Sequence, residues 1–294
     1  TQHTPITPIR PRTSSPNHSR PQATFRTHDN PDNHNHGDSL DDYLSLLDHG
    51  KAYQEVDPGQ GPTPDSVWKE QTMRIYFQNI NGIRLENEGA DSIDLFLQME
   101  NIQADVFAFA ETKLATDQPY VQKLLRQNKR KIWDHACLIT STSKVVLEGY
   151  HKPGGTLTCA TNSLVGRIRR TFSDPYGRWS GIELMGRSTK RLVILTVYQV
   201  PQKSGTSGNT TAYTQQRNMF RLEGRINPNP RKILIHDLKA LVTELRQNGH
   251  DMIIMGDFNE QVGIDPHGMA SVLTAGGLID SHFTRHGIEN DPPT

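Results

Sequence analysis

Asp251-Met-Ile-Ile-Met-Gly-Asp257-Phe-Asn259-Glu260 is the stretch that says most about how this chain is organised. Four apolar residues follow Asp251, and Gly256 comes directly after them, which predicts a short strand buried on both faces. Asp257 and Asn259 stand two residues apart, so in an extended segment their side chains share one face. Two interpretations are open: half of an active site, or a strand end followed by an Asx turn.

The first 70 residues differ in composition from the rest of the chain of 294 residues. They hold 9 of its 18 prolines and 6 of its 13 histidines, and they carry a net charge of −4, against +4 for residues 71–294. Such a segment cannot bury enough apolar surface to fold. We therefore predict a disordered tail and linker at 1–70, with one short amphipathic helix near 39–47, and a folded domain at 71–294.

Cysteine content and hydropathy narrow the class of protein. Cys137 and Cys159 belong to no CxxC motif or Cys/His cluster, which predicts a reducing compartment. No apolar run is long enough to span a bilayer, so we expect an intracellular protein without a membrane partner. The chain starts at Thr1 and ends in Asp291-Pro-Pro-Thr294, and we expect a fragment at both ends.

Along the body, helices and strands alternate on either side of a block of short strands. Residues 203–229 are predicted to be a surface loop or insertion, and residues 268–280 a short helix followed by a strand. Helices are predicted at 91–100, at 117–131 and after Pro230, and closely spaced strands at 137–141, 155–160, 165–172, 179–185 and 191–198. Spacing this tight predicts antiparallel hairpins, so the fold class is α+β, with mostly antiparallel sheets flanked by helices.

Polar side chains follow further predicted strands at the point where each strand ends. Asn79 and Asn81 follow the alternating residues 73–77, Glu111 follows the predicted buried strand 105–110, and Tyr198 closes the strand 191–198. With Asp257 and Asn259, four strand ends carry such groups, and we expect them to lie on one rim of a sheet. Carboxylate and amide oxygens suit Mg²⁺, whereas no His/Cys set for zinc is present. Phosphoryl transfer or phosphodiester hydrolysis is the chemistry that such a site serves.

The motifs at these strand ends resemble those of a known family. They are Phe77-Gln-Asn79-Ile-Asn81-Gly82, Phe109-Ala-Glu111-Thr-Lys113, Val197-Tyr198 and Gly256-Asp257-Phe-Asn259. In order and spacing they resemble the endonuclease/exonuclease/phosphatase family, which includes exonuclease III-like and DNase I-like nucleases and inositol polyphosphate 5-phosphatases. The resemblance covers about residues 73–284 and implies a four-layer α/β/β/α sandwich with the active site on its rim.

The resemblance also implies a metal site. Glu111 resembles the principal Mg²⁺ ligand of the family, for which Mn²⁺ is an alternative ion. Asn79 resembles the amide that supports both the metal site and the phosphate. Asn81 stands where many members have Asp, so this chain lacks a second carboxylate near the metal.

Catalytic roles are implied for residues on the other two strands. Tyr198 resembles the tyrosine that contacts the scissile phosphate. Asp257 resembles the group that orients or deprotonates the attacking water, and Asn259 a donor that stabilises the transition state.

The resemblance implies a C-terminal end that we do not find. The family ends with an Arg-x-x-Asp strand and a Ser-Asp-His motif, and no room for them follows Leu278-Ile-Asp280-Ser281. His282 and His286 stand in the wrong context to replace that histidine. We therefore expect a C-terminally truncated domain that lacks its last strands and has little or no activity of its own.

Three functions remain open at the sequence level. The N-x-N-G form of the first motif is similar to non-LTR retrotransposon endonuclease domains, which favours a Mg²⁺-dependent DNA endonuclease. Such a domain is expected to act in the nucleus, with a downstream reverse transcriptase domain as partner. The alternatives are a phosphatase acting on a phosphoinositide or another small phosphoester, and a degenerate copy that binds nucleic acid without cleaving it.

Two basic residues next to turns have two interpretations each. Arg178, before Trp179, and Lys152, in Lys152-Pro-Gly-Gly155, are placed where hairpins would bring them to DNA phosphates. The alternative is a structural role in a tight turn and an aromatic core.

Overall fold

The computed structural model describes residues 72–145, 151–186, 189–202, 210–262 and 265–286. The predicted tail and linker, with the short helix near 39–47, lie outside the described residues. Within the described ranges, no helix is long and apolar enough to cross a membrane.

The described part of the chain alternates strands and helices at its two ends and has consecutive strands in its middle. The elements are β1 (Ile75–Asn79), α1 (Glu86–Asn101), β2 (Val106–Ala110), α2 (Pro119–Arg130), β3 (Ala136–Ser141), β4 (Thr156–Thr161), a 3-10 helix (Asn162–Arg167), β5 (Ile168–Ser173), β6 (Trp179–Met185), β7 (Arg191–Tyr198), α3 (Ala212–Leu222), α4 (Pro230–Gln247), β8 (Asp251–Asp257), α5 (Met269–Gly276) and α6 (Ser281–His286).

The first sheet has the strand order β1-β2-β4-β3, with β1 and β2 parallel and the other neighbours antiparallel. β2 lies inside this sheet, and all five of its residues are buried. Phe107 and Phe109 pack with Phe96 of α1 and Leu125 of α2, whereas Val106 belongs to the core between the sheets. The alternation follows from the two-residue period of a strand. It explains why β2 is apolar without a break.

The second sheet has the order β5-β6-β7-β8, with β7 and β8 parallel and the other pairs antiparallel. Val193 and Leu195 of β7 pack with Leu238 of α4 and Val272 of α5. Ile194, between them, joins the core between the two sheets. Helices therefore cover the outer face of this sheet, as α1 and α2 cover that of the first.

The interior between the sheets contains a chain of buried hydroxyl groups. Thr156 Oγ1 donates to Ser180 Oγ at 3.0 Å, and Thr158 Oγ1 lies 2.9 Å from Ser180 Oγ and 2.7 Å from Thr196 Oγ1. Each hydroxyl satisfies another, so the polar atoms are tolerated in the core. The sheets pack face to face between two helical layers, and the predicted α+β, four-layer α/β/β/α sandwich is confirmed.

Two sequence-based predictions of elements are wrong. Residues 203–229 contain α3, which starts with a capping box between Thr211 and Thr214. No strand forms at the end of 268–280; α5 stops at Gly277, whose φ is +56°, and the next element is α6. The Asp280 carboxylate accepts from the first backbone N–H groups of α6, and this capping favours a new helix over an extended segment.

Candidate active site

Four strands end at one rim of the sandwich. β1 and β2 run parallel, with Asn79 opposite Ala110, the residue before Glu111. β7 and β8 run parallel, with Tyr198 opposite Asp257. Because parallel strands end at the same edge and the two sheets pack face to face, the side chains from both pairs meet.

The Asn79 amide links the two carboxylates of the rim. Its Nδ2 donates to Glu111 Oε2 at 3.2 Å and to Asp257 Oδ2 at 2.7 Å. Its Oδ1 accepts from the Asn81 backbone N–H at 2.9 Å, which sets the orientation of the amide. Asn79 therefore holds carboxylates from two different sheets at one nitrogen atom.

Glu111 reaches this position through an unusual backbone turn. Its φ is +57°, in the left-handed region that non-glycine residues seldom adopt. The turn is held by Thr112 N–H, which donates to Gly155 O at 3.3 Å, and by Lys113 N–H, which donates to Gly154 O at 2.8 Å. A Cβ on Gly155 would lie 2.8 Å from Thr112 Oγ1. The two glycines therefore allow the close approach that fixes Glu111.

Lys113 brings a positive charge next to the carboxylates. Its Nζ donates to Asn81 Oδ1 and lies 3.7 Å from Glu111 Oε1. The ammonium group partly neutralises Glu111 and engages the oxygen that was predicted to assist the metal. Sequence reasoning assigned Lys113 no role; its position two residues after Glu111, in the same motif, was the available signal.

Tyr198 closes the floor of the site. The side chain is only 3% exposed, and its ring packs beside Gly154, where a Cβ would lie 3.3 Å from Tyr198 Cε1. Burial raises the pKa of Tyr198, and the negative charges of Glu111 and Asp257, with a hydrogen bond to Glu111, raise it further. The hydroxyl therefore stays protonated at neutral pH and serves as a donor.

Asp257 and Asn259 form both of the structures that the sequence left open. Asn259 N–H donates to Asp257 Oδ1 at 3.1 Å, which is an Asx turn, and Asp257 also belongs to the carboxylate pair. Asn259 has a φ of +45°, so the two side chains do not share a face as an extended segment would place them. Its Nδ2 donates instead to Gln199 O at 2.7 Å.

The structure thus divides the six predicted residues into two groups. Asn79, Glu111, Tyr198 and Asp257 are joined by hydrogen bonds or close charges. The side-chain amide of Asn81 accepts a hydrogen bond from Lys113 Nζ, and that of Asn259 donates to Gln199 O. Their predicted direct roles in metal binding and catalysis stay predictions.

No protein-family model and no curated protein sequence matches the chain. Similar solved structures include an endonuclease/exonuclease/phosphatase family protein from Leptotrichia buccalis, at 18% identity over 70% of this chain and 75% of that chain, with a TM-score of 0.39. Human Nocturnin has 13% identity over 76% of each chain, with a TM-score of 0.45. An AP endonuclease from Archaeoglobus fulgidus has 14% identity over 70% of this chain and 69% of that chain, with a TM-score of 0.38.

These likenesses are too distant to carry an argument. The chain's own layers, and the meeting of the four motifs on one rim, decide the fold. The chain has the four-layer α/β/β/α sandwich that the resemblance implies, with the strand-end motifs on one rim. At the level of the fold, the resemblance seen in the sequence is confirmed.

A largely buried network supports the Asp257 turn. Glu260 Oε2 accepts from Arg231 Nη2 and from Gln199 Nε2, each at 2.9 Å, and Glu260 Oε1 accepts from the Met269 backbone N–H. Arg231 also donates to Val200 O at 2.7 Å. Burial lowers the pKa of Arg231, and the charge of Glu260 opposes that effect. Sequence reasoning missed these residues, whose only signal was that Glu260 follows the Gly-Asp-Phe-Asn motif.

Arg178 and Lys152 have structural roles. Arg178 is 2% exposed; its guanidinium bonds to Asp174 at 2.8 and 3.0 Å and to Asp237 at 2.9 Å. Lys152 is 1% exposed, and its Nζ donates to Asp117 Oδ2 at 2.7 Å. Neither side chain is placed to meet a DNA phosphate, so the structural interpretation holds for both.

The rim offers a small set of oxygen ligands. Within the described ranges, no group of three or more His, Cys, Asp or Glu is arranged to hold a metal ion. Glu111 and Asp257, which meet at Asn79, are the carboxylates of the site. One or two carboxylates, completed by water and substrate phosphate, fit Mg²⁺ and do not fit a structural zinc ion.

Proposed function

We propose that the chain is a divalent-metal-dependent phosphodiesterase that cleaves DNA internally. The observation that carries this proposal is the pair of carboxylates, Glu111 and Asp257, bridged by the Asn79 amide next to the buried Tyr198 hydroxyl. A carboxylate for a metal, a second one for water, and two neutral donors that hold these carboxylates in place are groups that this hydrolysis needs.

Glu111 is the residue that would hold Mg²⁺ or Mn²⁺. When bound, the ion supplies a Lewis acid that offsets the charge developing on the phosphate. Lys113, 3.7 Å from Glu111, adds a fixed positive charge on the same side. Asn81 supports this side through its bond from Lys113.

Asp257 handles the proton of the attacking water. One of its oxygens accepts from Asn79 and the other from the Asn259 backbone, and each carboxylate oxygen keeps a further lone pair for water. As the water oxygen attacks phosphorus, its proton moves to Asp257 and the P–O bond to the leaving sugar oxygen breaks. That oxygen takes up a proton from solvent, and Asp257 returns its own proton to solvent. The Asn79 amide and the Tyr198 hydroxyl keep the two carboxylates in position around the phosphate, and Asn259 holds the turn that carries Asp257.

The N-x-N-G form of Asn79-Ile-Asn81-Gly82 supports a retroelement-type endonuclease. We accordingly propose that the domain belongs to a polyprotein with a reverse transcriptase domain and acts on nuclear DNA. The body's charge of +4 is compatible with DNA as the substrate.

The test compares substrates in one buffer that contains Mg²⁺. The chain is incubated with supercoiled plasmid and, separately, with inositol polyphosphates, alongside Asp257→Asn. Because the sequence leads us to expect little activity from this chain, nicking is measured at high enzyme concentration. The proposal predicts slow plasmid nicking that Asp257→Asn reduces by about a hundredfold or more. Intact plasmid with release of phosphate from the inositol polyphosphates would support the phosphatase and refute the nuclease. Plasmid binding without hydrolysis of either substrate would support a degenerate domain that binds nucleic acid without cleaving it.

A further inference from the structure

The end of α3 and the loop after it form an exposed surface that the proposed chemistry does not use. Every residue from Arg221 to Asn227 is exposed. Leu222 is 88% exposed and Ile226 is 91% exposed, the two largest values among the exposed large hydrophobic side chains of the described residues. Two aliphatic side chains this exposed, four residues apart, are placed to be covered by a partner.

Three arginines accompany these aliphatic residues. Arg217, Arg221 and Arg225 are spaced four residues apart, and among the described residues no carboxylate lies within ion-pair distance of any of them. Glu223, the one acidic residue between them, accepts a hydrogen bond from the Tyr176 hydroxyl. The surface therefore presents unneutralised positive charge next to exposed apolar groups. We call residues 217–227 the arm.

The arm lies on the catalytic rim. At the start of α3, a Cβ on Gly154 would lie 3.0 Å from Ala212 Cβ and 3.3 Å from the Tyr198 ring, so this helix begins beside the catalytic tyrosine. Near its end, the Phe220 ring packs against the Tyr176 ring in a tilted arrangement, with ring centroids 4.6 Å apart. Tyr176 belongs to the turn between β5 and β6, and this turn is at the same rim because Trp179 pairs with Val197, next to Tyr198.

We propose that the arm binds double-stranded DNA beside the cleavage site, with Arg221 and Arg225 on backbone phosphates and Leu222 and Ile226 in the minor groove. The proposal rests on the proposed function for its choice of DNA. Arginines neutralise phosphates, and exposed Leu and Ile side chains are used by minor-groove proteins as wedges between base steps.

The length of α3 sets the distance from the cleavage site. Eleven helical residues, Ala212–Leu222, rise about 16 Å. That rise corresponds to about five base pairs of duplex at 3.4 Å per base pair. The arm therefore contacts the duplex about half a helical turn from the scissile phosphate, which a small phosphoester or a single nucleotide cannot reach.

Charge favours DNA over a protein as the occupant. The apolar contact is limited to two side chains, while three arginines against one glutamate give the arm a net positive charge, which complements a polyanion. Single-stranded DNA supplies phosphates without a groove, so the apolar pair distinguishes it from duplex.

The test measures duplex binding and small-substrate hydrolysis with the full chain. Fluorescence anisotropy is recorded for a labelled 20-base-pair duplex, and for one of its strands, over a series of salt concentrations. The variants are Arg221→Ala with Arg225→Ala, and Leu222→Ala with Ile226→Ala. The matched control is Lys239→Ala with Arg246→Ala, which removes the same charge from the exposed side of α4. Hydrolysis of bis(p-nitrophenyl) phosphate is the second readout.

The arginine pair is expected to reduce the slope of log Kd against log salt by about 2 and to weaken duplex binding about tenfold or more. The aliphatic pair is expected to weaken duplex binding about tenfold with an unchanged slope, and to leave single-strand binding as it is. Both pairs keep the rate on the small ester. If the arm variants bind duplex as tightly as the α4 control does, the proposal is overturned. A protein partner that covers the arm in place of DNA would give this result. If wild type hydrolyses neither DNA nor bis(p-nitrophenyl) phosphate while the arm variants still weaken duplex binding, the proposed function is refuted and the arm proposal stands.

Discussion

Gly154→Ala is expected to reduce turnover by moving Tyr198, and Gly249→Ala separates this effect from simple destabilisation. Gly154 has a φ of +77° and Gly249 a φ of +75°, so an alanine at either position adopts the same strained backbone. That strain costs about 1–2 kcal/mol. In a domain of this size each kcal/mol lowers Tm by about 2 to 4 °C.

The two positions differ in their surroundings. Nothing lies within 4 Å of a Cβ at Gly249, whereas a Cβ at Gly154 lies 3.0 Å from Ala212 Cβ and 3.3 Å from Tyr198 Cε1. The Tyr198 ring must shift, and its hydrogen bond to Glu111 weakens. A hydrogen bond to a charged group contributes about 1.5–3 kcal/mol, which is about 10- to 150-fold in rate at 1.36 kcal/mol per factor of ten.

The assay is plasmid nicking at a temperature well below both Tm values, with Tm measured by circular dichroism. Gly249→Ala is expected to keep the wild-type kcat and Gly154→Ala to lose about tenfold or more. Equal kcat for the two variants, at equal folded fraction, would refute the idea that Gly154 positions Tyr198.

Three further predictions concern the groups around the site. Glu260→Gln leaves Arg231 without its carboxylate, so the free energy of unfolding, measured by urea denaturation, is expected to fall by about 3 kcal/mol. Replacing both Glu260 and Arg231 with leucine is expected to recover most of this loss. An unchanged free energy of unfolding for Glu260→Gln would contradict a stabilising role for the network. Arg178→Met leaves Asp174 buried without a cation and costs about 3–5 kcal/mol while DNA affinity stays unchanged; normal stability with weakened DNA binding would restore the phosphate-contact hypothesis. Because the folded-state pKa of Tyr198 is raised, the unfolded chain loses this proton first, near the ordinary tyrosine pKa of about 10, and stability declines from there upwards as the pH approaches the folded pKa; Tyr198→Phe is expected to flatten that alkaline decline, and an unchanged pH profile would contradict the assignment.

The parts of the fold that local patterning could predict were those with strong periodicity. Two strands, Trp179–Met185 and Arg191–Tyr198, have the predicted bounds. Most of their residues are buried, so each strand appears in the sequence as a short run rich in apolar residues. α3 was missed because its buried face includes Gln215 and Gln216, so apolar spacing does not mark it.

The geometry of the site depended on contacts that are remote in sequence. Lys152 and its partner Asp117 are 35 residues apart, and Arg178 and Asp237 are 59 apart, so no local pattern indicates that Lys152 and Arg178 are buried. The left-handed turn at Glu111 is likewise set by carbonyl groups from the loop before β4. The motifs predicted which residues meet, and the packing determines how they are oriented.

The rim formed by Glu111, Asn79 and Asp257 is expected to hydrolyse DNA with a divalent metal. The deciding measurement is nicking of supercoiled plasmid over a Mg²⁺ titration, for wild type, Glu111→Gln and Asp94→Asn. Asp94 is an exposed carboxylate on α1, so its variant carries the same change in charge away from the rim. Asp94→Asn is expected to nick plasmid at the wild-type rate, and Glu111→Gln at a rate reduced by about a hundredfold or more. Equal Mg²⁺-dependent nicking by Glu111→Gln and Asp94→Asn would contradict a catalytic role for this rim.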